Sequence, residues 1–445
     1  MTQRGSRRLD GALEWLAGHV DYERTAPTRR DVPTLEPIVR ALHALGDPHH
    51  DVEFVHVTGT NGKGSTTAMT AALLEGSGRR VGAFTSPDLH AVNERITVAG
   101  SPIDDDELAS LLGRMKSLEA SLDLRLTRFE LLTVGALLHF ADEAVDAAVI
   151  EVGLGGTWDA TNVIDARVAV VTNVALDHTE VLGDTVDAIA RDKVGIAKPG
   201  AVCVLGDPDP ATVELQARLA RDQGVAAVWR RDHEVVLTAN GLALGGRVVS
   251  VVTPVGAHEQ VLVTLHGRHQ GANAMCAIAA AEAFGNVALA DEVVLKALGN
   301  IRVPGRMEVL STRPLVIVDG AHNPAGTGAL AESIAEEFSV IGTTRAVIGL
   351  LTNRDPVALL EPLAACGVMV VYCCRADTPR ALAPSAIADA ARTLGMDARV
   401  VEDVPAALDA AVADSSPEDL IVVAGSFYVV GTARGHALGL APHRG

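Results

Sequence analysis

The sequence is poor in aromatic side chains and in positive charge. Only 3% of its 445 residues are Phe, Trp or Tyr although 48% are hydrophobic, so the core must consist mainly of Ala, Val and Leu. Lys and Arg number 37 against 56 Asp and Glu, which gives a formal net charge of −19. A surface of that sign repels nucleic acid and anionic membranes. We therefore expect neither as a partner, and an anionic substrate must be attracted by a local basic cluster.

Cysteine pairs and long apolar runs are also lacking. The cysteines show no C-x-x-C spacing, so neither a disulfide framework nor a zinc site is predicted; they are Cys203, Cys276, Cys366, Cys373 and Cys374. No segment approaches the about 18 uninterrupted apolar residues of a membrane-spanning helix. The basic N-terminus at 1–9 has no apolar run behind it, unlike a secretory signal. We expect a cytoplasmic protein with reduced thiols.

The order of apolar segments predicts an α/β fold. Runs of strand length at 52–57, 80–84, 147–152 and 167–172 alternate with helical stretches. The last two are apolar throughout, as buried parallel strands require. This order is typical of a doubly wound sheet. From 235 to 265 the pattern changes to short β runs separated by turns, which predicts an antiparallel patch on the sheet edge.

The chain is long enough for a second α/β domain. Pro304 and Gly305 stand side by side, which is typical of a hinge. We predict a large P-loop domain at 1–302 with the antiparallel edge patch, and a smaller Rossmann-like α/β domain at 303–445. Strands of the second domain are predicted at 315–319, 345–349, 368–372, 399–402 and 420–423.

Two helices and a basic loop are predicted near the N-terminus. Apolar residues at helical spacing predict helices at 9–20 and 35–45. The basic loop at 24–30 lies between them. It is either a solvated connection or a lid that attracts an anionic substrate.

A glycine-rich stretch at 56–67 reads His-Val-Thr-Gly-Thr-Asn-Gly-Lys-Gly-Ser-Thr-Thr. It follows an apolar strand and precedes a run at 68–74 that predicts a helix. Its glycines leave room for backbone amides to turn inward at the helix start, where partial positive charge favours a phosphate chain. Lys63 adds a full charge for the outer phosphates, and Ser65 or Thr66 can offer a hydroxyl to Mg²⁺. The glycines are Gly59, Gly62 and Gly64, and their spacing differs from the common G-x-x-x-x-G-K-[ST] loop.

Polar side chains follow two of the predicted buried strands. Glu151 ends one of them, at the edge of a parallel sheet where ligands bind. It either reaches a magnesium ion held by nucleotide phosphates or caps the next turn. Asp177 and His178 lie beyond the next strand, and His178 is either an ordinary polar contact or a second metal ligand. Lys193 lies near the end of a helix predicted to continue to residue 199, where lysines are common because they suit the helix dipole.

Further polar residues flank the predicted hinge. Gln270 and Asn273 open a helix and offer amides suited to a base or ribose. Arg306 can swing a guanidinium against phosphate. Asp319 and His322 follow a strand of the second domain. Singly each is a turn or a cap, but together they indicate two domains that close on one nucleotide.

Six motifs in one order resemble the folylpolyglutamate synthase/dihydrofolate synthase family of the Mur ligase superfamily. The resemblance runs from about residue 35 to residue 428. The motifs are His56-Val-Thr-Gly-Thr-Asn-Gly-Lys-Gly-Ser65, Thr85-Ser-Pro87 with Asn93-Glu-Arg-Ile96, Glu151-Val-Gly-Leu-Gly-Gly156 with Asp159-Ala-Thr-Asn162, Leu176-Asp-His178, Pro304-Gly-Arg306, and Asp319-Gly-Ala-His-Asn-Pro324.

The resemblance implies an ATP-dependent ligase. Such an enzyme joins a carboxylate of dihydropteroate or folate to the amine of L-glutamate through an acyl phosphate, with ATP and Mg²⁺ as cofactors. It also implies that Lys193 is carbamylated and helps to hold magnesium, and it leaves a monovalent cation open. We expect small-molecule substrates and a monomer.

The resemblance also assigns roles to individual residues. Lys63, Lys193 and His322 are implied as catalytic, and Ser65, Glu151 and His178 as metal ligands. His322 would lie between the nucleotide and the incoming glutamate. The implied nucleotide contacts are Thr60, Asn61, Gly62, Lys63, Gly64, Ser65, Thr66, Gln270, Asn273, Arg306 and Asp319. The implied substrate contacts are Thr85, Ser86, Pro87, Phe129, Glu130, Asp159, Ser426 and Tyr428.

The sequence departs from the family pattern at two places, and two alternative functions stay open. Asp88 follows Thr-Ser-Pro on the folate-side loop, where the family often has His, and Phe427 stands where Leu is commoner. One alternative is a Mur-type ligase acting on a peptidoglycan nucleotide, against which Gly64 and the helical N-terminus stand. The other is a P-loop ATPase switch without ligase activity.

Overall fold

The computed structural model of the chain describes residues 3–25 and 34–440. Residues 1–2 of the basic N-terminus and residues 26–30 of the predicted basic loop lie outside the described residues. None of the helices in the described ranges is long and apolar enough to cross a bilayer.

The N-terminal part is built on a mixed sheet with the strand order β4-β3-β2-β5-β1-β6-β7-β8. The strands from β2 to β8 in this order pair in parallel, and β3 and β4 add an antiparallel edge. The predicted doubly wound arrangement is confirmed. The strands are β1 (Glu53–Thr58), β2 (Val81–Phe84), β3 (Ile96–Val98), β4 (Ser101–Pro102), β5 (Ala147–Glu151), β6 (Val168–Val171), β7 (Val202–Leu205) and β8 (Ala227–Arg230).

Helices cover both faces of this sheet because successive strand residues point to opposite sides. From β1, Val55 and Val57 pack on one face with α3, α9 and α10, whereas Phe54 packs on the other face with α1, α4 and α5. The helices are α1 (Gln3–Ala17), α2 (Glu36–Ala44), α3 (Lys63–Gly76), α4 (Asp105–Leu122), α5 (Arg128–Asp142), α6 (Thr179–Leu182), α7 (Val186–Val194), α8 (Pro210–Asp222), α9 (Arg268–Gly285) and α10 (Asp291–Gly299).

Three of the predicted helices have wrong boundaries. The first helix spans Gln3–Ala17 rather than residues 9–20. The helix after the glycine-rich stretch begins at Lys63 rather than at residue 68. The helix that carries Lys193 ends at Val194 rather than at residue 199. The early start places the first turn of α3 inside the glycine-rich stretch itself.

The predicted antiparallel segment forms a sheet of its own. It comprises β9 (Val236–Ala243), β10 (Gly246–Val252) and β11 (Ala257–Val263), with β10 in the centre. Its antiparallel character is confirmed, but the prediction that it extends the edge of the large sheet is wrong. Val249, Val251 and Val261 are buried in the core shared with α9, so burial of that face holds the small sheet against the helix.

The C-terminal part has a smaller sheet with the strand order β12-β13-β17-β14-β15-β16. The five predicted strands are confirmed, and β12 is an additional antiparallel edge strand. The strands are β12 (Glu308–Thr312), β13 (Leu315–Val318), β14 (Thr344–Ile348), β15 (Val368–Cys373), β16 (Asp397–Val400) and β17 (Leu420–Ala424). The helices are α11 (Pro324–Glu337), α12 (Pro356–Ala365), α13 (Pro384–Thr393), α14 (Val404–Ala413) and α15 (Phe427–Leu438).

We call the part that contains β1–β11 and α1–α10 the N-terminal lobe, and the part that contains β12–β17 and α11–α15 the C-terminal lobe. Residues 301–307 between them contain neither helix nor strand. The boundary between residues 302 and 303 falls there and stays a prediction.

Candidate active site

A cavity of about 820 Å³ lies between the two lobes. The N-terminal lobe lines it with the glycine-rich loop, the residues after β5 and β6, and the start of α9. The C-terminal lobe lines it with residues after β13, one side of α11, and the start of α15. The strand ends that the sequence singled out therefore meet in one place.

The glycine-rich loop connects β1 to α3 in a conformation that requires glycine. Gly62 is the N-cap of α3 and has a φ of 81°, which side chains other than glycine rarely adopt. A Cβ at Gly62 would lie 2.3 Å from Oδ1 of Asn273, and one at Gly59 would lie 1.8 Å from Oγ1 of Thr172. Lys63 Nζ donates hydrogen bonds to the carbonyl oxygens of Gly59 at 3.2 Å and Thr60 at 3.4 Å. Residues 60–65 of the loop, Lys63 among them, line the cavity.

Glu151 is the last residue of β5 and only 3% exposed. Its Oε2 accepts a hydrogen bond of 3.1 Å from the backbone N–H of Ser86. Burial raises the pKa of this carboxyl, and the positive charges of Lys63 and Arg306 oppose the rise. A buried carboxylate beside two cations is well placed to share a divalent ion with an anionic ligand.

His178 is the N-cap of α6 and lies beside Asp177. Burial is the largest cause that lowers the pKa of His178 to about 4, so its imidazole is neutral at pH 7 and keeps a lone pair for a metal. One carboxylate, one imidazole and the Ser65 hydroxyl are too few for a metal site made of protein groups alone. Among the described residues there is no group of three or more His, Cys, Asp and Glu that could hold a metal.

The donor set fits Mg²⁺, which prefers oxygen ligands and usually binds through one or two carboxylates plus phosphates. The buried hydroxyl of Thr66 in the first turn of α3 has no hydrogen-bond partner. Thr66, a predicted nucleotide contact, is not among the described residues that line the cavity, so the structure does not place this hydroxyl at the cavity.

Lys193 is buried next to the glycine-rich loop. Its Nζ donates a hydrogen bond of 3.0 Å to the carbonyl oxygen of Gly59. Burial, aided by the charge of Lys63, lowers the pKa of Lys193 to about 7. A Cβ at Gly156 would lie 2.9 Å from the Cα of Lys193. The glycines after Glu151 therefore allow the Lys193 segment to approach the phosphate loop.

The start of α9 carries the two predicted amide residues. Gln270 and Asn273 are 1% and 5% exposed, and Asn273 Nδ2 donates a hydrogen bond of 3.0 Å to Gln270 Oε1. Both line the cavity together with His269 and Asn240. Side-chain amides at this end of the cavity, beside the start of α9, can form hydrogen bonds with a base or ribose.

Three predicted residues approach from the C-terminal lobe. The guanidinium of Arg306 lies 4.5 Å from the ring centre of Phe427. Asp319 accepts hydrogen bonds from the backbone N–H groups of Met307 at 2.9 Å and Ala321 at 2.8 Å, so it faces the gap between the lobes with both oxygens engaged. His322 Nε2 lies 3.9 Å from a carboxylate oxygen of Asp177, and burial lowers its pKa.

Contacts between the lobes include residues that the sequence did not single out. Asp177 forms an ion pair with Arg354 and accepts a hydrogen bond of 2.9 Å from Asn323 Nδ2. The same Asn323 amide donates to Asn61 Oδ1 at 3.0 Å. Asn323 was quoted only as part of a motif, and nothing in the sequence identified Arg354.

Most of the predicted substrate residues line one end of the cavity, which we call the apolar wall. Ser86, Pro87 and Phe129 line it, with Tyr22 and Trp158, which the sequence did not single out. Ser426 and Tyr428 line it from the C-terminal lobe. Aromatic rings and proline make this the apolar end of the cavity.

Glu130 and Asp159 also line the cavity, and each has a structural role in its own segment. Glu130 accepts hydrogen bonds from Thr127 in the capping box of α5. Asp159 accepts from the backbone N–H groups of Thr161 and Leu154, and so holds the loop after β5. Thr85 is not among the described residues that line the cavity, although its neighbour Ser86 is.

The departure at Asp88 has a structural partner. Asp88 forms an ion pair with Arg95, whose guanidinium also bonds Glu23 Oε1 at 2.9 Å. The carbonyl oxygen of Glu23 in turn accepts hydrogen bonds from Arg380 Nη1 at 3.1 Å and from the Tyr428 hydroxyl at 3.3 Å. Residues after α1 therefore join the folate-side loop to the C-terminal lobe.

Two domain families match the chain. The Mur ligase middle domain matches residues 57–281, and the glutamate ligase domain of Mur ligases matches residues 305–427. The dihydrofolate synthase/folylpolyglutamate synthase of Mycobacterium tuberculosis is 35% identical over 459 residues, which cover 94% of this chain and 92% of the relative.

Solved structures agree over nearly the whole length. Mycobacterium tuberculosis folylpolyglutamate synthase complexed with ADP and AMPPCP superposes with a TM-score of 0.88 at 32% identity, covering 99% of this chain and 100% of that one. A bifunctional folylpolyglutamate synthase/dihydrofolate synthase with Mn, AMPPNP and L-glutamate bound gives a TM-score of 0.83 at 30% identity, covering 97% of this chain and 98% of that one.

Proposed function

The chain belongs to the dihydrofolate synthase/folylpolyglutamate synthase family, and from this premise we propose how its residues carry out the reaction. It is an ATP-dependent ligase that joins L-glutamate to dihydropteroate, to folate, or to both. The observation that carries the assignment is the single cavity between the lobes, which places a phosphate loop, an apolar wall and a cluster of cations together.

Phosphoryl transfer comes first. A carboxylate oxygen of the acyl substrate attacks the γ-phosphorus of ATP, and the products are an acyl phosphate and ADP. Lys63 and the loop amides neutralise charge that spreads over the phosphoryl oxygens, and Arg306 adds a third positive group from the other lobe. The nucleotide base lies toward Gln270 and Asn273, and Asp319 lies near its ribose.

Ser65, Glu151 and His178 would hold magnesium. When bound, it supplies positive charge to the phosphate oxygens during transfer. The support for this set is the buried carboxylate of Glu151 beside the loop and the neutral imidazole of His178.

Lys193 is a candidate for carbamylation. Carbon dioxide adds to a neutral amine, and a pKa of about 7 leaves a large neutral fraction at physiological pH. The product carries a carboxylate in place of an ammonium group, so it would attract magnesium instead of repelling it. A bound monovalent cation remains a secondary proposal.

Amide formation follows in the same cavity. The glutamate amine attacks the acyl carbon and phosphate leaves, so no covalent bond to the enzyme is needed. The apolar wall of Phe129, Trp158 and Pro87 suits the flat ring of a pteridine substrate. Glutamate enters near His322 and Ser426, where Arg354 and Arg380 can attract its carboxylates.

Acyl phosphates hydrolyse readily, so the lobes must exclude water while one is present. Closure about the segment at Pro304 and Gly305 would do so, which is why we place the domain boundary between residues 302 and 303. We also propose that the protein acts as a monomer. We propose that it works in the cytoplasm, where ATP and glutamate are available.

The two alternatives are less well supported. Relatives named as folate ligases match across about nine-tenths of the chain, which disfavours a peptidoglycan substrate. A pure ATPase switch does not need the apolar wall.

The test is phosphate release from MgATP with purified protein. A ligase releases phosphate only when dihydropteroate, or a folate, and L-glutamate are all present. Release without an amine acceptor would support the switch. Running dihydropteroate and tetrahydrofolate side by side decides which acyl substrate is used.

A further inference from the structure

One side of α11 forms a wall at the nucleotide end of the cavity, and this helix belongs to the C-terminal lobe. The opposite wall comes from the N-terminal lobe, through Asn240 and the start of α9. The space between these walls therefore depends on contacts that join the lobes. The lining residues of α11 are Ala325, Gly326, Ala329, Leu330, Glu332 and Ser333.

The last turn of α11 carries Glu336 and Glu337 and has no basic residue of its own. Carboxylates are unfavourable at the negative end of a helix dipole. The compensating cations come from the N-terminal lobe. Arg247 Nη1 bonds Glu336 at 3.0 Å and Glu337 at 3.1 Å, His266 Nδ1 lies 2.9 Å from Glu337, and Arg268 bonds Glu336 at 3.0 Å.

Arg247 also holds the opposite wall. Its Nε donates a hydrogen bond of 3.1 Å to Asn240 Oδ1, and its Nη2 donates one of 2.8 Å to the Asn240 carbonyl oxygen. The amide of Asn240 donates in turn to the carbonyl oxygen of Arg268, the first residue of α9, at 2.9 Å. A Cβ at Gly271 would lie 2.6 Å from this amide. One fully buried guanidinium therefore contacts both walls.

We propose that Arg247 and Glu337 are positioning residues that fix the spacing between the two walls around the nucleotide base. Neither side chain is among the described residues that line the cavity, so both act through Asn240 and α11. This inference rests on the proposed function, because it takes the cavity as the ATP site.

A positioning role of this kind affects nucleotide binding more than chemistry. The phosphate loop, Glu151 and Lys193 lie at the other end of the site and do not contact Arg247. Loss of the pair should weaken ATP and ADP binding while kcat and the KM for the acyl substrate stay the same. A general loss of stability would not single out nucleotide binding: it would change nucleotide binding, kcat and the KM for the acyl substrate together, or leave all of them unchanged.

The test uses Arg247→Met, which keeps the apolar stem, and Glu337→Gln, which keeps the shape and removes only the charge. The dissociation constant of MgADP is measured by calorimetry, and the KM values and kcat in the ligase assay. We expect the ADP dissociation constant and the KM for ATP to rise on the order of fivefold to tenfold. A factor of this size corresponds to the net contribution of about one hydrogen bond.

The matched control is Arg345→Met. Arg345 is another mostly buried arginine, with a side chain 12% exposed, and it pairs with Asp419 inside the C-terminal lobe. It should lower the melting temperature and leave ADP binding unchanged. Rescue is tested with the double variant Arg247→Met/Glu337→Gln, which should lose less ADP affinity than the two single effects combined, because no buried carboxylate is left unpaired.

Unchanged ADP affinity in a folded Glu337→Gln protein would overturn the inference, and so would an equal loss in Arg345→Met. Glu337→Gln replaces only one oxygen by nitrogen, so we expect it to fold. If Arg247→Met does not fold, the inference is tested with Glu337→Gln alone. ADP binding is measured without ligation, so a failure of the proposed ligase reaction is distinguished from a failure of the positioning role.

Discussion

Asn323 in the C-terminal lobe donates hydrogen bonds to Asn61 Oδ1 at 3.0 Å and to Asp177 Oδ2 at 2.9 Å in the N-terminal lobe. Its own Oδ1 accepts from the N–H of Gly326 at 2.8 Å and so caps α11. A helix that lines the nucleotide end of the cavity is therefore joined at its N-terminus to the phosphate loop. Asn323 therefore couples the contact between the lobes to the conformation of the glycine-rich loop.

The ion pair between Asp177 and Arg354 predicts a cost for removing its charge. In Asp177→Asn, Arg354 keeps a buried charge without its carboxylate, and such a loss costs about 3–5 kcal/mol in other proteins. We expect a lower melting temperature and a ligase kcat reduced at least about a hundredfold, because the lobes no longer meet correctly. Asp389→Asn breaks an exposed pair with Arg392 and should leave both quantities unchanged. Wild-type kcat in Asp177→Asn would contradict the prediction.

Lys193 is predicted to be modified and necessary. Lys193→Ala should lower ligase activity, and added bicarbonate should not restore it, because the side chain that reacts is gone. With ¹³C-bicarbonate, the wild-type protein should show a carbamate carbon signal in NMR that Lys193→Ala lacks. Full activity of Lys193→Ala, or the same carbamate signal in both proteins, would remove Lys193 from the site.

His258 predicts a dependence of stability on pH. The hydrogen bond that His258 donates to the Glu282 carboxylate is the largest cause that raises the pKa of His258. Glu282 is fully buried and its oxygen lies 2.9 Å from Nε2, whereas the other partner, Asp291, is 74% exposed. Because the folded pKa is raised, the pair stabilises fully below the unfolded pKa of about 6.5, and the contribution is lost as pH rises through the folded pKa.

The free energy of unfolding of His258→Gln should therefore fall below that of the wild type by roughly 1.5–3 kcal/mol near pH 6, the range for hydrogen bonds to charged groups. The difference should shrink as pH rises through the raised pKa of His258. His436→Gln, which removes a partly exposed pair with Asp409, serves as the control and should show little effect. A difference that does not change with pH would contradict this account.

Lys63 and Glu151 are predicted to be essential for chemistry rather than for folding. Lys63→Ala and Glu151→Ala should each abolish amide formation, with kcat reduced on the order of a thousandfold or more, because charge on the transferring phosphoryl group is no longer neutralised. Arg392→Ala changes an exposed residue of α13 and should match the wild type. Full activity in either active-site variant would refute its assignment, and circular dichroism would exclude misfolding.

The sequence predicted the parts of the site that lie in local patterns. Glycines before Lys63 predicted a phosphate loop, because few other residues allow the φ that Gly62 adopts. Glu151 was predicted from the end of an apolar run, since strand ends of a parallel sheet meet at one edge. Both expectations place the side chains in the cavity where the structure has them.

Contacts across the lobes could not be predicted. Asp177 and Arg354 are 177 positions apart, and even within the N-terminal lobe Arg95 and Glu23 are 72 apart. Ion pairs have no periodic pattern, so nothing in a single sequence connects their members. The position of the small sheet was predicted wrongly for a related reason. The pattern of its strands does not say whether they pair with the edge of the large sheet or pack their apolar face against a helix, here α9.

The most direct test of the account measures whether a carboxylate oxygen of the acyl substrate is transferred to phosphate. Dihydropteroate labelled with ¹⁸O in its carboxylate is incubated with the protein, MgATP and L-glutamate, and the released phosphate is analysed by mass spectrometry. An acyl phosphate made in the cavity predicts that one labelled oxygen passes to phosphate for each amide formed. Amide formation with unlabelled phosphate would contradict the central claim that the two lobes hold ATP and the acyl carboxylate together.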